Sequence, residues 1–189
     1  MGHWEFEHSA ESKAEPAAVW ERYIDVEHWK QWSPNGVEES SLDGKFETGS
    51  KGESKAPHFP KGKFELVEVE REKRFVSRAG FPGGSITYEH QIEPSGGGTR
   101  ITHKASLDGP LTFLWSPTIG RIVKRGLPSG VERLAELAPE KEEEARKEAK
   151  EDEERDERLK KADEKFKEEI EKTSSGEGDA GGASIPGTG

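Results

Sequence analysis

Two histidines stand where an alternating pattern turns them inward. In residues 85–93 a period of two places Ile86, Tyr88, His90 and Ile92 on one face of a strand and Thr87, Glu89 and Gln91 on the other. In residues 99–107 the same rule groups Ile101, His103, Ala105 and Leu107. His90 and His103 thus fall on the apolar faces of neighbouring strands, with Tyr88 two residues from the first. An imidazole titrates near neutrality, so the pair could hold a polar group of a ligand. It could also act with Tyr88 as acid and base in an enolisation or dehydration. The plainer alternative makes each a hydrogen-bonded lining residue, because an unpaired buried polar group costs about 1–3 kcal/mol.

Aromatic surface is available to wall a pocket around these groups. Trp20 and Trp29 read as core, while Trp32 and Trp115, near helix ends, serve equally as core or as pocket rim. Phe46 and Thr48 on a strand over 45–55, Phe75, Ser77 and Ala79 on a strand over 74–80, and Ile119 on the closing helix complete the expected lining. A register slip of one residue would invert each strand set. The Pro- and Gly-containing loops at 55–62 and 81–84 either gate the entrance or are ordinary surface loops.

Neither a metal nor a cofactor is expected. The six histidines, at 3, 8, 28, 58, 90 and 103, include no pair at the short spacing of a helical metal motif, and the chain has no cysteine. The glycine runs Gly83-Gly84 and Gly96-Gly97-Gly98 precede no helix and carry no Lys-Ser/Thr, so they are hairpin turns rather than phosphate loops. The absence of cysteine suits a reducing compartment, and the cytoplasm is the expected location. No run approaches the roughly 20 apolar residues of a membrane span.

The formal net charge of −10 is distributed unevenly. Residues 1–138 carry 18 Lys+Arg against 21 Asp+Glu, and residues 139–189 carry 11 against 18. A nearly neutral first part offers no basic stripe for phosphates, which argues against nucleic acid as a partner.

These groups must be positioned by an α+β architecture. Residues 3–12 alternate as a first strand. Pro16 then opens a helix with Val19, Trp20, Tyr23 and Ile24 at helical spacing, and a second short helix carries Trp29 and Trp32. Turn residues punctuate six further strands near 36–42, 45–55, 62–70, 74–80, 85–93 and 99–107, joined by hairpin-length gaps. From Leu111 to Leu137 apolar residues recur three or four apart, giving a long amphipathic helix with a break expected near Trp115 to Ile119 and a kink before Pro128. The expected division is a domain over 1–138, a charged helical extension over 139–172 and a disordered Gly/Ser-rich tail over 173–189. The extension could also recruit a protein partner.

The stretch AAVWERYIDVEHWKQWSP, with Val19, Trp20, Asp25, Trp29, Trp32 and Pro34, resembles the START-like SRPBCC superfamily, in particular its polyketide cyclase/dehydrase and lipid-transport branch. The segment LDGPLTFLWSPTIGRIVKRGLPSGVERLAELAP is similar to the closing helix of its small members, with Gly109-Pro110 at its entry and Leu127-Pro128 within it. The resemblance spans about residues 1–138 and implies a helix-grip fold: a seven-stranded curved antiparallel sheet around a long C-terminal helix, with two short helices after the first strand. It implies the first two of three readings of function, the third resting on the charged extension, which lies outside the family pattern. The first is noncatalytic binding or transport of a small hydrophobic or amphipathic ligand in an internal cavity. The second is a cyclase or dehydratase using His90, His103 or Tyr88, and the third is an interaction module acting through the charged helix.

Overall fold

The computed structural model describes residues 2–174. An antiparallel sheet of seven strands runs in the order β1-β7-β6-β5-β4-β3-β2. The strands are β1 (Gly2–Ser12), β2 (Glu39–Leu42), β3 (Lys51–Lys55), β4 (Gly62–Glu70), β5 (Arg74–Phe81), β6 (Gly84–Ser95) and β7 (Gly98–Gly109). Between β1 and β2 lie α1 (Pro16–Ile24), a 3-10 turn (Val26–His28) and α2 (Trp29–Trp32). After β7 come α3 (Thr112–Trp115), a π-helical turn (Ser116–Gly120) and α4 (Arg121–Ser174). The helix-grip architecture expected from the sequence is the one observed.

Local chemistry explains the helical elements over the sheet. Pro16 sits in the first turn of α1, where its missing N–H costs nothing, and the following residues bury Ala18, Val19, Trp20 and Tyr23. Trp29 Nε1 donates to Tyr23 O at 2.8 Å and Ser40 Oγ donates to Val26 O at 2.6 Å, which fixes the short helices on each other and on β2. α4 closes the other side, with Val131 and Leu134 fully buried. Each such side chain contributes about 1.5–3 kcal/mol on leaving water. Ser12 Oγ donates to Ala135 O at 2.8 Å and Arg22 Nη2 to Leu137 O at 2.7 Å, so α4 is tied to both β1 and α1.

Two expectations need correcting. Residues 45–50 are not strand. Gly44 and Gly49 take positive φ values of 87° and 92°, and the chain turns twice between β2 and β3. Second, Pro117 does not break the closing helix, because the wider π-helical turn absorbs it. Residues 139–172, expected to be helical, continue the closing helix, which runs through Pro128 and Pro139 to Ser174. Of the tail expected to be disordered, Thr173 and Ser174 are helical and residues 175–189 lie outside the described residues.

By contacts the chain divides into Met1–Glu144 and Ala145–Gly189. Within the second unit the helix carries ion pairs along its length, including Arg158–Glu154 at 3.6 Å, Lys161–Glu157 at 3.8 Å and Lys167–Asp163 at 2.7 Å. Arg155 pairs with Asp152 at 2.9 Å, three residues away. Leu159 and Phe166 of this segment are exposed.

The β6–β7 hairpin lies so close to the end of β1 that position 98 tolerates no side chain. A Cβ on Gly98 would sit 2.0 Å from Ser12 O, a backbone atom that cannot move without disturbing the β1–β7 ladder. Gly98→Ala is therefore expected to lower unfolding stability by about 2 kcal/mol or more in urea titration. Gly62→Ala, whose Cβ meets nothing within 4 Å, is the control and is expected to change it by less than about 0.5 kcal/mol.

Candidate functional site

The strand registers arrange the concave face of the sheet in rows. Trp4, Leu107, Ile86, Ala79 and Phe64 form the first, and Phe6, Ala105, Tyr88, Ser77 and Leu66 the second. The third is His8, His103, His90, Phe75 and Val69. Ala10, Ile101 and Ile92 follow as the fourth. His90 and His103, expected on neighbouring strands, are direct cross-strand partners with ring centroids 4.3 Å apart.

The middle of the third row, His103, His90 and Phe75, is sealed, while His8 at its edge stays partly exposed and pairs with Glu132 at 3.4 Å. Phe75 stacks on His90 at 4.0 Å with ring planes 5° apart. Tyr23 of α1 lies against Phe75, His90 and His103, and Trp32 of α2 lies edge-on to both histidines at 6.2 and 5.7 Å. Trp29 covers Phe75 at 5.9 Å. The Tyr23 hydroxyl and His103 Nε2 share a hydrogen bond of 2.9 Å. Two buried polar atoms in this enclosure have no protein partner, His90 Nδ1 and Trp32 Nε1.

The first two rows are less closed. Trp4, Phe6, Ala79, Ile86 and Tyr88 are only half-buried although their face is the one α4 packs on. Gly120 lies against the Trp4 indole, where a Cβ would come within 2.8 Å of the ring. Lys124 Nζ stands 6.0 Å from the centroids of both the Trp4 and Phe6 rings. The result is a partly accessible apolar floor ending at a buried row of imidazoles. Two clefts of about 520 and 470 Å³ lie elsewhere and are lined largely by charged residues of strand ends and loops, so neither offers this chemistry.

Burial decides the protonation of the polar groups. Desolvation lowers the His90 pKa to about 3, and a weaker hydrogen-bonding pull from the Phe75 backbone opposes it only in part. His103 is held well below the usual histidine range by desolvation first, then by His90 and His8. Desolvation also raises Tyr23 well above 10 and pushes Tyr88 up to about 12, although Tyr88 as a whole residue is half-buried. At neutral pH all four groups are uncharged and can donate and accept hydrogen bonds. Among the described residues no cluster of three or more His, Cys, Asp or Glu is placed to hold a metal ion.

Of the residues singled out from sequence, the fold brings together Trp32, Phe75, Ser77, Tyr88, His90 and His103. Phe46 joins them from the loop, 5.1 Å from Phe75 and 5.7 Å from Trp20. Thr48 does not line the site: it is exposed on the β2–β3 connection, and its Oγ1 accepts from Val69 N at 2.9 Å. Trp115 and Ile119 are half-buried near the other end of the sheet, and Trp115 Nε1 donates to Pro82 O at 3.0 Å. Sequence reasoning missed Tyr23 as a partner of His103, since helical spacing marks it only as apolar. Alternation puts Trp4, Phe6 and His8 on one side of the first strand, but sequence reasoning did not carry them into the site.

The model of the family described as polyketide cyclase / dehydrase and lipid transport matches residues 3–139. A comparison with curated proteins returns no match. Among solved structures, the chain is similar to Ara h 8.0201, with a TM-score of 0.59 at 12% identity, covering 74% of this chain and 99% of that one. Norcoclaurine synthase from Thalictrum flavum, in complex with dopamine and hydroxybenzaldehyde, gives a TM-score of 0.58 at 16% identity over 74% and 88%. Protein NE0264 from Nitrosomonas europaea gives 0.58 at 20% identity over 73% and 96%. At these identities the likeness is one of fold.

The depressed imidazoles carry a pH signature. An unfolded chain takes up protons at these histidines below about pH 6.5, whereas folded His90 does so only near pH 3. The stabilising contribution is therefore complete above pH 6.5 and is lost as pH falls, by up to about 1.4 kcal/mol per pH unit for each imidazole. Urea midpoints measured from pH 7 to 4.5 are expected to fall for the parent chain and to fall less steeply for His90→Phe.

Proposed function

Because the chain belongs to the polyketide cyclase / dehydrase and lipid transport family, we propose that it binds a small apolar or amphipathic molecule carrying one neutral hydrogen-bonding group, and does no chemistry on it. The apolar body lies on the floor of Trp4, Phe6, Ile86 and Tyr88, and the polar group reaches the third row. The observation that carries this reading is the pair of buried atoms without protein partners, His90 Nδ1 and Trp32 Nε1, at the inner edge of that floor. Such atoms are costly unless something hydrogen-bonds to them. A ligand hydroxyl or carbonyl is suited to do so where every neighbour is neutral.

The same surroundings argue for holding rather than reacting. A general base works best with a pKa near the operating pH, and an imidazole at about 3 is a weak one. The Thalictrum flavum protein was solved with dopamine and hydroxybenzaldehyde, small aromatic molecules with hydroxyl groups, and a ligand of that shape suits the floor described here. The close aromatic contacts at the third row require side chains such as Trp32 or Phe75 to rotate as the polar group enters.

Two probes separate the apolar from the polar contribution. Titrated by intrinsic tryptophan fluorescence, 2-naphthol is expected to bind about tenfold tighter than naphthalene, the difference of one buried hydrogen bond. His90→Phe and Trp32→Phe are expected to remove most of that preference while leaving naphthalene affinity within about twofold. Equal affinity of the parent chain for the two probes, or a preference unchanged in both variants, sinks the reading.

A further inference from the structure

At the far end of the sheet from the buried fourth row, the β5–β6 hairpin tip meets α3. Leu111 N donates to Gly83 O at 3.1 Å, Trp115 Nε1 donates to Pro82 O, and the Phe81 and Trp115 rings meet edge-on at 5.7 Å. The contact is close, since a Cβ on Gly83 would lie 2.4 Å from Leu111 Cδ1. This frame holds apolar side chains outward. Phe113 is 70% exposed, Leu114 58%, Leu111 38% and, past the π-helical turn, Ile122 40%. Phe113 and Leu114 add little to the core, and with Leu111 and Ile122 they form a cluster of exposed hydrophobes rather than single scattered ones.

The charge pattern at this end is opposite to that of the chain. Among 39 Asp and Glu residues, none falls in 73–88 or in 109–131, the two stretches that meet here. Those stretches supply exposed Arg78, Arg121, Lys124 and Arg125. The nearest acid in sequence, Asp108, is already hydrogen-bonded to His3 Nδ1 at 2.7 Å. Exposed aromatic and aliphatic residues beside cations, with the acids at this end, Asp108 and Glu5, paired to His3 and Lys104, match the chemistry of an anionic lipid surface.

We propose that this end of the molecule docks on an anionic bilayer, with Phe113 and Leu114 entering the headgroup layer and Arg121, Lys124 and Arg125 facing its negative charge. A two-fold pairing of two copies through the same patch is disfavoured by charge, because an isologous contact sets Arg121 and Arg125 of one copy near the same cations of the other. The inference needs no ligand in the interior and stands apart from the proposed binding function.

Co-sedimentation of the full chain with lipid vesicles tests it. At about 0.1 M NaCl, partitioning onto phosphatidylcholine vesicles containing about 30% phosphatidylglycerol is expected to exceed that onto phosphatidylcholine alone by about tenfold or more. Phe113→Ser with Leu114→Ser is expected to reduce it about tenfold or more, and Arg121→Gln and Arg125→Gln about fivefold each. All variants are expected to keep the parent melting temperature by circular dichroism, as these side chains lie outside the core. Equal partitioning onto both vesicle types, or variants that bind as the parent does, overturns the proposal. So does a self-association seen by analytical ultracentrifugation that the serine variant abolishes while vesicles remain unbound, which assigns the patch to a second copy.

Discussion

The desolvation of a row of imidazoles on the concave face is the constraint around which the first unit is organised. A sheet that turns His90 and His103 inward must either hydrate them or cover them with groups that accept their neutrality. The structure covers them: α1 supplies Tyr23, whose hydroxyl bonds His103, and α2 supplies Trp29 and Trp32 as lids. The two short helices therefore have a positional duty that follows from the third row. Removing the Tyr23 hydroxyl would leave a second buried imidazole without a protein partner, at a cost of about 1–3 kcal/mol. The same logic links fold to function, since the partnerless atoms that remain are the ones a ligand can reach from the half-open floor.

How much of this was legible in the sequence depended on the range of the interaction involved. Alternation placed His90 and His103 inward, and the short turn at Gly96-Gly97 made them direct partners, because a tight hairpin fixes register. The family pattern around Val19, Trp20, Trp29 and Trp32 gave the helix-grip order. The connection over 43–50 was not legible. Its shape is set by two left-handed glycines and by Thr48 reaching a backbone amide on β4, a contact 21 residues distant. A run long enough between turn residues to be a strand became a loop that delivers Phe46 to the aromatic core. The closing helix was misread for a related reason. Local rules treat Pro117 as a break and Pro128 as a kink, but a π-helical turn absorbs the first and the helix runs on through the second.

The sheet is graded along its length rather than uniformly lined. The fourth row, Ala10, Ile101 and Ile92, packs with Val131 and Leu134 as ordinary core. The third row is polar and, at His103 and His90, dry. The first and second rows are apolar but only half-covered, and beyond them lies the exposed α3 and hairpin tip. The sealed core stabilises the fold, and the open floor is left to other uses. This arrangement explains why large aromatic residues appear in both places: Trp29 and Trp32 close the core, while Trp4 and Trp115 border accessible surface.

The protonation of the third row limits what chemistry such a site can support. With a pKa of about 3, His90 lies roughly 5 kcal/mol from its protonated form at pH 7. An acid–base mechanism through it would need a substrate or a nearby carboxylate to offset that penalty. The neighbours in ring contact with it, Phe75, Tyr23, Trp32, Tyr88 and His103, bring no negative charge. His103 is further opposed by the histidines on either side of it in the row. Members of one fold can bind or catalyse on the same scaffold, and the deciding variable is the field at the inward groups. Here that field is set by desolvation without a compensating charge. It favours neutral hydrogen bonding over proton transfer, and so a holder of small molecules over a converter of them.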